Sequence, residues 1–405
     1  MKVAIIGAGA SGLACAIEAF EEAKRSGVRI DITLFEKNDR AGKKILATGN
    51  GRCNLTNLNC KKDFYNGGSD VAVSVFQKFS PESNIEFFKR LGLYTRADSE
   101  GRVYPLSNQA SSVLDALRLG IRNRGIKIVT DFPVKSIEHK DGFYLVDGKR
   151  FDKIVLAAGG KACVKDFNGY ELLRGLDIPV TKTAPSLVRL TTEDKTTKSL
   201  KGIRAAVRLT LKIDGKVKAE EKGELLFSDN VLSGIAAMQL SAYISRHFIK
   251  SKTRPFVDVD FVPDFSYDEL LREIKLICKS CKDTESENIL SAFMPKKIGM
   301  AILKKSSVPF DKRAGDLNEA ETEKIVSFAK RYTFEISGTK DYADAQVTSG
   351  GADLTAFNTE TLESEKHKGF YCCGEILDID GLCGGYNLQW AWSSGRLAGQ
   401  SLVKG

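Results

Sequence analysis

Histidine is scarce in this 405-residue sequence, which has three histidines, and its nine cysteines show no zinc-ligand spacing. We therefore expect no metal site. No apolar run reaches the roughly eighteen residues of a membrane-spanning helix, so we expect no membrane insertion. An odd cysteine count without secretory features is typical of a reduced chain, which predicts a cytoplasmic location.

A dense basic tract is also absent. Lysine and arginine total 61 against 52 aspartate and glutamate residues, which gives a net charge of +9, but the lysines are spread along the chain. Such a distribution is typical of a solvated surface and argues against a nucleic-acid partner. A small-molecule substrate is the expected partner, and the sequence leaves the oligomeric state open.

The order of strand and helix signals predicts an α/β fold. A β-branched run at residues 3–6 precedes a glycine turn, an Ala- and Glu-rich helical stretch at 13–24 and a second strand at 30–35. Glycine-rich motifs return near the C-terminus after a long middle segment with different patterns. The predicted domains are a split Rossmann-type domain at 1–185 and 336–405, a β-rich insert at 186–250 and 306–335, and a helical insert at 251–305.

The dinucleotide pattern Gly-x-Gly-x-x-Gly lies between the first strand and the first helix. Gly7 permits a tight turn, Gly9 lets the backbone approach a pyrophosphate, and Gly12 allows close packing of helix and strand. The helix N-terminus then directs its amides towards the phosphates. Glu36 closes the second strand, where a carboxylate can accept both ribose hydroxyls.

Later motifs favour FAD over NAD as the resident cofactor. Gly159 and Gly160 end another strand, where a second turn can approach a long cofactor, and Glu375 follows a further strand. A C-terminal helix that begins near Asn387 would direct its positive dipole end towards the pyrimidine end of a flavin. No second Gly-x-Gly-x-x-Gly is present, so NAD(P)H is expected only as a transient co-substrate.

Four motifs in order resemble those of one bacterial flavoprotein family, the BaiN-type or aminoacetone-oxidase-like FAD-binding proteins. They are ATGNGRCNLTN at 47–57, AQVTSGG at 345–351, GEILDIDG at 374–381 and GGYNLQWAWSSG at 384–395. The resemblance covers essentially the whole chain. It implies a split FAD-binding Rossmann-type domain that holds an inserted β-barrel and a helical subdomain.

The glycine patterns and the resemblance together give the predicted cofactor-binding residues. They are Gly7, Gly9, Ala10, Ser11, Gly12, Glu36, Lys37, Lys44, Gly51, Arg52, Cys53, Asn54, Val134, Gly159, Gly160, Gly374, Glu375, Gly385, Tyr386, Asn387 and Leu388. Val134 is included through the resemblance alone, which implies an adenine contact through its backbone atoms.

Catalytic residues are not assigned by the sequence, and three candidates remain, Cys53, Tyr104 and Tyr386. Cys53 could be a redox thiol beside the flavin or a small residue that packs a glycine-rich loop, and Cys383 raises the same question. Tyr104 could place a phenol near a substrate or belong to a strand edge. Tyr386 could donate a proton near the flavin or only position the backbone.

The predicted function is FAD-dependent oxidoreduction. Reduced flavin would pass hydride to an activated C=C bond of an α,β-unsaturated carbonyl, with electrons from NAD(P)H. The resemblance implies a steroid-type enone as one such substrate. Two alternatives are an FAD-dependent oxidase of a small amine that uses oxygen, and a flavin-bearing module that binds RNA or protein without turnover. The net charge of +9 slightly favours the latter.

Overall fold

The computed structural model describes all residues from Met1 to Gly405, and the chain divides into two compact units. The first unit combines Met1–Thr183 with Val347–Gly405, and the second unit is Ala184–Gln346. Both ends of the chain therefore contribute to one unit, while the middle of the chain forms the other.

The strands are short in the first unit and longer in the second. They are β1 Lys2–Ile6, β2 Asp31–Phe35, β3 Thr56–Asn57, β4 Tyr65–Gly67, β5 Thr95–Ala97, β6 Arg102–Pro105, β7 Lys127–Val129, β8 Ile137–Lys140, β9 Phe143–Val146, β10 Lys149–Phe151, β11 Lys153–Leu156, β12 Ala184–Ser186, β13 Leu190–Thr192, β14 Arg204–Ile213, β15 Lys216–Ser228, β16 Val231–Ser233, β17 Phe256–Asp260, β18 Tyr332–Thr339, β19 Val347–Ser349, β20 Phe370–Cys372 and β21 Ile379–Gly381.

The helices range from single turns to the long C-terminal helix. They are α1 Ala10–Arg25, α2 Lys43–Leu46, α3 Ser69–Lys78, α4 Pro81–Arg90, α5 Ala110–Asn123, α6 Gly169–Arg174, α7 Thr196–Ser199, α8 Ile235–Lys250, α9 Tyr267–Ser280, α10 Lys296–Ser306, α11 Glu319–Lys330 and α12 Tyr386–Lys404.

The first unit is built on a five-stranded parallel sheet with the strand order β20-β11-β1-β2-β7. Val3, Ala4 and Ile5 of the central strand β1 are fully buried. A continuous apolar run of this kind is typical of a parallel strand that is covered on both faces. Because all five strands are parallel, their carboxyl ends lie at one edge, and the glycine turns and acidic residues of the motifs follow these ends.

Helices α1 and α12 pack closely because glycines of α12 face α1. A Cβ at Gly395 would overlap the carbonyl oxygen of Ser11, and a Cβ at Gly399 would overlap the carbonyl oxygen of Cys15. The four-residue spacing places both glycines on one face of α12. The two helix backbones can therefore touch, which brings the C-terminal helix against the helix that begins at the first glycine turn.

A buried ion pair joins the same two helices. Arg396 Nε lies 2.9 Å from Glu18 Oε2, and both side chains are only 6% exposed. Arg396 also donates hydrogen bonds to Asn84 Oδ1 at 3.0 Å and to the Ser83 carbonyl at 3.1 Å, which ties α4 to the pair. These partners compensate a charge whose burial would otherwise destabilise the fold.

The second unit contains a closed six-stranded barrel with the strand order β13-β16-β15-β14-β17-β18. Alternate residues of β14, namely Val207, Leu209 and Leu211, are buried in its core, as expected for a strand with one inward face. Leu240 of α8 and Ile302 of α10 belong to the same apolar cluster, so the helices extend the barrel core.

The predicted subdivision of the insert differs from the structure. Strand β17 lies within 251–305, which was expected to be helical, and helices α8 and α11 lie within ranges expected to be β-rich. Strand β18 crosses the expected boundary at residue 335 and completes the barrel. The barrel strands are interrupted by helices along the chain, so composition averaged over a window cannot separate the two kinds of element.

The contact between α1 and α12 gives a test of stability. We predict that Gly399→Ala lowers the free energy of unfolding by about 1–3 kcal/mol, because the added methyl meets backbone that cannot move aside. The matched control is Gly175→Ala, where the nearest atoms lie 3.5 Å from the added Cβ. Urea denaturation measures both variants. Equal stability of the two would contradict the close helix contact.

Candidate cofactor and active site

The first glycine turn has the geometry that close approach of a cofactor requires. Gly7 has a φ of 105°, and a Cβ there would overlap the Ala157 carbonyl oxygen. A Cβ at Gly12 would overlap the carbonyl oxygen of Gly7. In contrast, no atom lies within 4 Å of a Cβ at Gly9, and the α1 N-terminus that follows has no side-chain cap. The turn therefore leaves open space directly before the first amides of α1.

Glu36 lies at the end of β2 beside this turn and is buried. Its Oε2 accepts the Ala8 amide at 3.1 Å, and its Oε1 accepts the Asn38 amide at 2.9 Å and Asn38 Nδ2 at 2.5 Å. A carboxylate has about four lone-pair positions, so these three bonds fix its orientation and leave room for about one further donor, on Oε2. The carboxylate is thus held at the carboxyl end of the strand.

The second glycine turn faces a polar cluster. A Cβ at Gly160 would lie 2.5 Å from Thr348 Oγ1 and 2.6 Å from Glu375 Oε1, so no side chain fits there. Glu375 Oε1 accepts the Thr348 amide at 2.8 Å, and Glu375 Oε2 pairs with Lys44 Nζ at 2.8 Å. Gly159, with a φ of 73°, has open space at its Cβ position. The structure thus brings together three predicted residues that are remote in sequence, Lys44, Gly160 and Glu375.

The strand end before Glu375 is fitted to the start of α1. Gly374 has a φ of 79°, and a Cβ there would overlap Ser11 Oγ. The Ser11 hydroxyl lies 3.4 Å from the Cys373 carbonyl, and Trp390 Nε1 donates to the Gly374 carbonyl at 3.0 Å. Gly374 is therefore required for contact among α1, α12 and the strand end.

The N-terminus of α12 begins at a left-handed glycine. Gly385 has a φ of 98° and no side-chain cap follows it. A Cβ there would lie 2.6 Å from the Thr56 carbonyl oxygen and 2.8 Å from Asn54 Oδ1. Asn54 Oδ1 is a buried acceptor with no hydrogen-bond partner in the protein. A buried acceptor without a partner costs free energy, so this atom indicates a missing donor at the head of α12.

The loop between α2 and β3 contains a run of left-handed residues. Gly49, Asn50, Gly51 and Cys53 all have a φ between 54° and 82°. Such a conformation strains the two non-glycine residues, and strained backbone of this kind clusters at functional sites. Arg52 is exposed within this loop, and a Cβ at Gly51 would meet no atom within 4 Å.

Several predicted cofactor residues use their polar groups within the protein. Lys37 Nζ donates to the Lys165 carbonyl at 2.6 Å, and the Val134 carbonyl accepts Asn168 Nδ2 at 2.7 Å. Asn387 Oδ1 accepts the Gly381 amide at 2.8 Å, and its Nδ2 donates to the Gly381 carbonyl at 2.7 Å. A cofactor contact by Asn387 would therefore involve its backbone amide.

Two further predicted residues lie in the first turns of α1 and α12. Ala10 is the first residue of α1 and is partly exposed. Leu388 is the third residue of α12 and packs partly against the apolar core of the unit. Both place backbone amides near helix N-termini.

A buried polar network under α12 was not predicted. Gln389 Oε1 accepts Thr56 Oγ1 at 2.6 Å and Asn84 Nδ2 at 3.0 Å, and Gln389 Nε2 donates to Ser393 Oγ at 2.9 Å. These residues are at most slightly exposed. The network fixes the start of α12 against the loop that contains Asn54. Its only sequence signal is the position of Gln389 within the last motif.

Tyr386 packs within an aromatic cluster. Its ring centroid lies 4.8 Å from that of Phe64 and 6.0 Å from that of Tyr65. Burial raises the pKa of the Tyr386 phenol to about 12, so it stays protonated at neutral pH. The Tyr65 hydroxyl donates to the Tyr386 carbonyl at 3.0 Å. This packing favours a positioning role over proton transfer.

The other catalytic candidates differ in exposure. Cys53 is fully buried, and burial raises the pKa of its thiol to about 11, which suppresses the thiolate that redox chemistry needs. Tyr104 is partly exposed, and the Arg52 guanidinium lies 4.9 Å from its ring centroid. Cys383 is partly exposed in the loop before α12. The structure therefore favours packing as the role of Cys53.

The donor set fits FAD. Open space at Gly9 precedes uncapped helix amides suited to a pyrophosphate, and the Glu36 carboxylate is suited to ribose hydroxyls. The unpartnered Asn54 acceptor beside the uncapped α12 N-terminus is suited to the polar edge of a flavin. An adenine dinucleotide with a second ring system matches this series of groups.

Residues 1–401 match the family described as HI0933-like protein Rossmann domain. The chain belongs to this family. The resemblance drawn from the four sequence motifs is thereby confirmed, and so is the predicted α/β fold with a Rossmann-type domain and an inserted barrel.

Relatives of this chain carry functional names. The chain is 35% identical to a 3-dehydro-bile acid delta(4,6)-reductase of Clostridium scindens, over 100% of this chain and 99% of the relative. It is 29% identical to a ribosomal RNA dihydrouridine synthase of Haemophilus influenzae, over 99% of this chain and 98% of the relative. Both similarities extend over the full length of the chain.

A solved structure shares the fold. It is the 3-ketosteroid delta1-dehydrogenase of Sterolibacterium denitrificans in complex with 1,4-androstadiene-3,17-dione, with a TM-score of 0.53 and 12% identity over 99% of each chain. At this identity the similarity concerns the fold alone.

Two structural features bear on other classes of function. No group of three or more His, Cys, Asp or Glu side chains is arranged to hold a metal ion. No helix combines the length and the apolar composition that crossing a bilayer requires.

The burial of Cys53 gives a labelling test. We predict that iodoacetamide at neutral pH modifies exposed Cys281 and leaves Cys53 unmodified, because the pKa of Cys53 is raised to about 11 and its thiol is shielded. Labelling of Cys53 should rise only as the pH approaches this value. Peptide mass spectrometry gives both rates. Equal rates at neutral pH would identify Cys53 as a reactive thiol.

Proposed function

We propose that this protein is an FAD-dependent oxidoreductase that uses NAD(P)H to reduce a C=C bond conjugated to a carbonyl. The observation that carries the proposal is the convergence of four features in one unit: the first glycine turn, Glu36, the cluster around Glu375 and the uncapped start of α12. The reductase name of the 35%-identical relative supports the direction of the reaction.

The chain's own groups bind and orient the cofactor. Amides at the start of α1 would hold the pyrophosphate, and Glu36 would accept a hydrogen bond from the adenosine ribose. Glu375, held by Lys44 and the Thr348 amide, would contact the ribityl chain. The start of α12 favours negative charge at the pyrimidine edge of the ring system. When bound, FAD supplies two-electron hydride chemistry between nicotinamide and substrate.

The reaction balances without a metal or oxygen. The substrate gains a hydride at the β-carbon and a proton at the α-carbon, and NAD(P)H is oxidised to NAD(P)⁺. Conjugation to the carbonyl is needed because it makes the β-carbon electrophilic. Among the candidates, Tyr386 keeps its proton at neutral pH but is packed among aromatic rings, so the proton donor is unassigned.

Two substrate classes satisfy this chemistry. A steroid-type enone is supported by the name of the bile-acid reductase relative. A uracil base within RNA is supported by the name of the dihydrouridine synthase relative, because its C5=C6 bond is likewise conjugated to a carbonyl. The second class departs from the expectation of no nucleic-acid partner. The amine-oxidase alternative finds no support in either name.

The first test is anaerobic titration of the purified flavoprotein with NADH and then NADPH. We expect one of them to bleach the visible absorbance band of oxidised flavin, and a conjugated enone to restore it. Bleaching by a small amine without nicotinamide, followed by rapid oxygen consumption, would instead establish the oxidase. A protein that stays colourless after FAD is added would refute both.

Glu36 gives a test of the cofactor site. We predict that Glu36→Ala raises the Kd for FAD by about 10- to 100-fold, since hydrogen bonds to a charged group contribute about 1.5–3 kcal/mol. Asp31→Ala, at the exposed start of the same strand, is the matched control and should bind as the wild type does. Flavin fluorescence titration of the stripped protein measures both. Unchanged affinity of the Glu36 variant would place the ribose elsewhere.

A further inference from the structure

The small antiparallel sheet β3-β6-β5 in the first unit has one apolar face and one exposed face. Val103 and Pro105 of β6 are buried. Tyr104, which lies between them, and Leu106, which follows them, point to the opposite, exposed face. Tyr104 lies opposite Arg96, and the Leu106 amide donates to the Tyr94 carbonyl at 2.9 Å. Aromatic, cationic and aliphatic side chains therefore share the exposed face.

We name this surface the tyrosine–arginine face and define it by Arg52, Tyr94, Arg96, Tyr104 and Leu106. Tyr94 is 61% exposed and Leu106 is 56% exposed. Single exposed apolar residues are common on soluble proteins, but two of them beside a second tyrosine and two arginines form a contiguous surface. A surface of this composition is suited to a flat and negatively charged partner.

The charge of the face is positive where it meets solvent. Arg52 and Arg96 form no ion pair with an acidic side chain, and the Arg52 guanidinium lies 4.9 Å from the centroid of the Tyr104 ring. The neighbouring Arg102 is different, because Asp98 pairs with it at 2.8 Å and Glu100 at 3.0 Å. Two guanidinium groups are therefore available to phosphates or to the planes of bases.

The tyrosine–arginine face and the proposed flavin site share one loop of the chain. Arg52 precedes Cys53 and Asn54, and the Asn54 acceptor lies beside the start of α12. A partner that stacks on the tyrosines and Arg52 is therefore bound next to the loop that would meet the flavin. Binding on this face can present a part of the partner to the cofactor.

We propose that the tyrosine–arginine face binds an unpaired segment of RNA, whose bases stack on Tyr94 and Tyr104 and whose phosphates pair with Arg52 and Arg96. This inference rests on the proposed function and names RNA uridine as its substrate class. Unpaired bases are recognised by stacking on aromatic rings and arginine planes beside backbone contacts. An enzyme that acts on a base must also hold that base outside a helix stack.

A steroid is less well matched to this face. Sites for small ligands are concave and bury most of the ligand surface, whereas Tyr94 and Leu106 are more than half exposed. An extended strand instead gains affinity from several contacts spread over an open surface. The name of the dihydrouridine synthase relative is consistent with an RNA partner.

The test measures RNA binding by the FAD-loaded, oxidised full-length protein without nicotinamide, so its result does not depend on turnover. The probe is a fluorescein-labelled, uridine-containing RNA of roughly 12 nucleotides, a length within the range of single-strand sites. We expect Tyr94→Ala to weaken binding by about tenfold or more through the lost stacking. Tyr94→Phe keeps the ring and should bind within about twofold of the wild type.

Three further variants separate the effect of charge from the effect of position. Arg96→Ala should weaken binding and reduce the slope of log affinity against log salt by about one, the change expected for one lost phosphate contact. Lys218→Ala removes the same charge from an exposed strand of the barrel unit, and Tyr243→Ala removes an exposed tyrosine of that unit. Both controls should bind as the wild type does, and thermal melting confirms that each variant is folded.

The outcomes separate this inference from the proposed function. No RNA binding by the wild type, equal affinity for the same RNA as a duplex, or equal effects of Tyr94→Ala and Tyr243→Ala would each overturn the face as an RNA site. Loss of steroid-enone binding in Tyr94→Ala with unchanged RNA binding would reassign the face to a steroid. Failure of NAD(P)H to bleach the flavin would refute the reductase while leaving the binding result intact.

Discussion

The backbone contact between α1 and α12 is the constraint on which the rest of the site depends. The first glycine turn and the C-terminal helix are separated by most of the chain, yet Gly395 and Gly399 let their helices touch at Ser11 and Cys15. Without that contact the dinucleotide turn and the start of α12 would be separate helix ends. With it, two uncapped N-termini lie in one unit, and a long cofactor can span them.

Polar interactions fix the position of α12 relative to α1. The Arg396–Glu18 pair is almost fully buried, so removing either partner would leave an uncompensated charge, which typically costs about 3–5 kcal/mol. The network around Gln389 is also fully hydrogen-bonded under the start of α12. In contrast, Asn54 at the head of the same helix has a buried acceptor without a partner. Satisfied polar groups thus lie beneath the helix start, and the unsatisfied one lies where a ligand is expected.

Local spacing explains which parts of the site were predictable from the sequence. The positions of Gly7, Gly12 and Glu36 could be predicted because they depend on a strand, a turn and a helix that are close in sequence. Thr348 and Gln389 could not, because their roles come from contacts with Glu375 and with residues of distant segments. The domain limits were imprecise for a similar reason: strands far apart in the chain close the barrel. The direction of the Asn387 side chain could not be predicted from the sequence either, because its amide oxygen accepts a hydrogen bond from the Gly381 amide in the preceding loop.

The two substrate classes suggested by the named relatives require the same chemistry at the cofactor and differ outside it. A conjugated enone and a uracil ring each need a hydride at the β-carbon, so the cofactor roles proposed for Glu36, Glu375 and α12 are the same for both. Selection between them must then come from surfaces that meet the rest of the substrate. The distribution of lysines along the sequence did not predict such a surface. The tyrosine–arginine face contains arginines and no lysine, and it combines Arg52 with residues of a separate segment of the chain. Its open form favours an extended polymer, so the chain's specificity is expected to lie in this face and not in the flavin site.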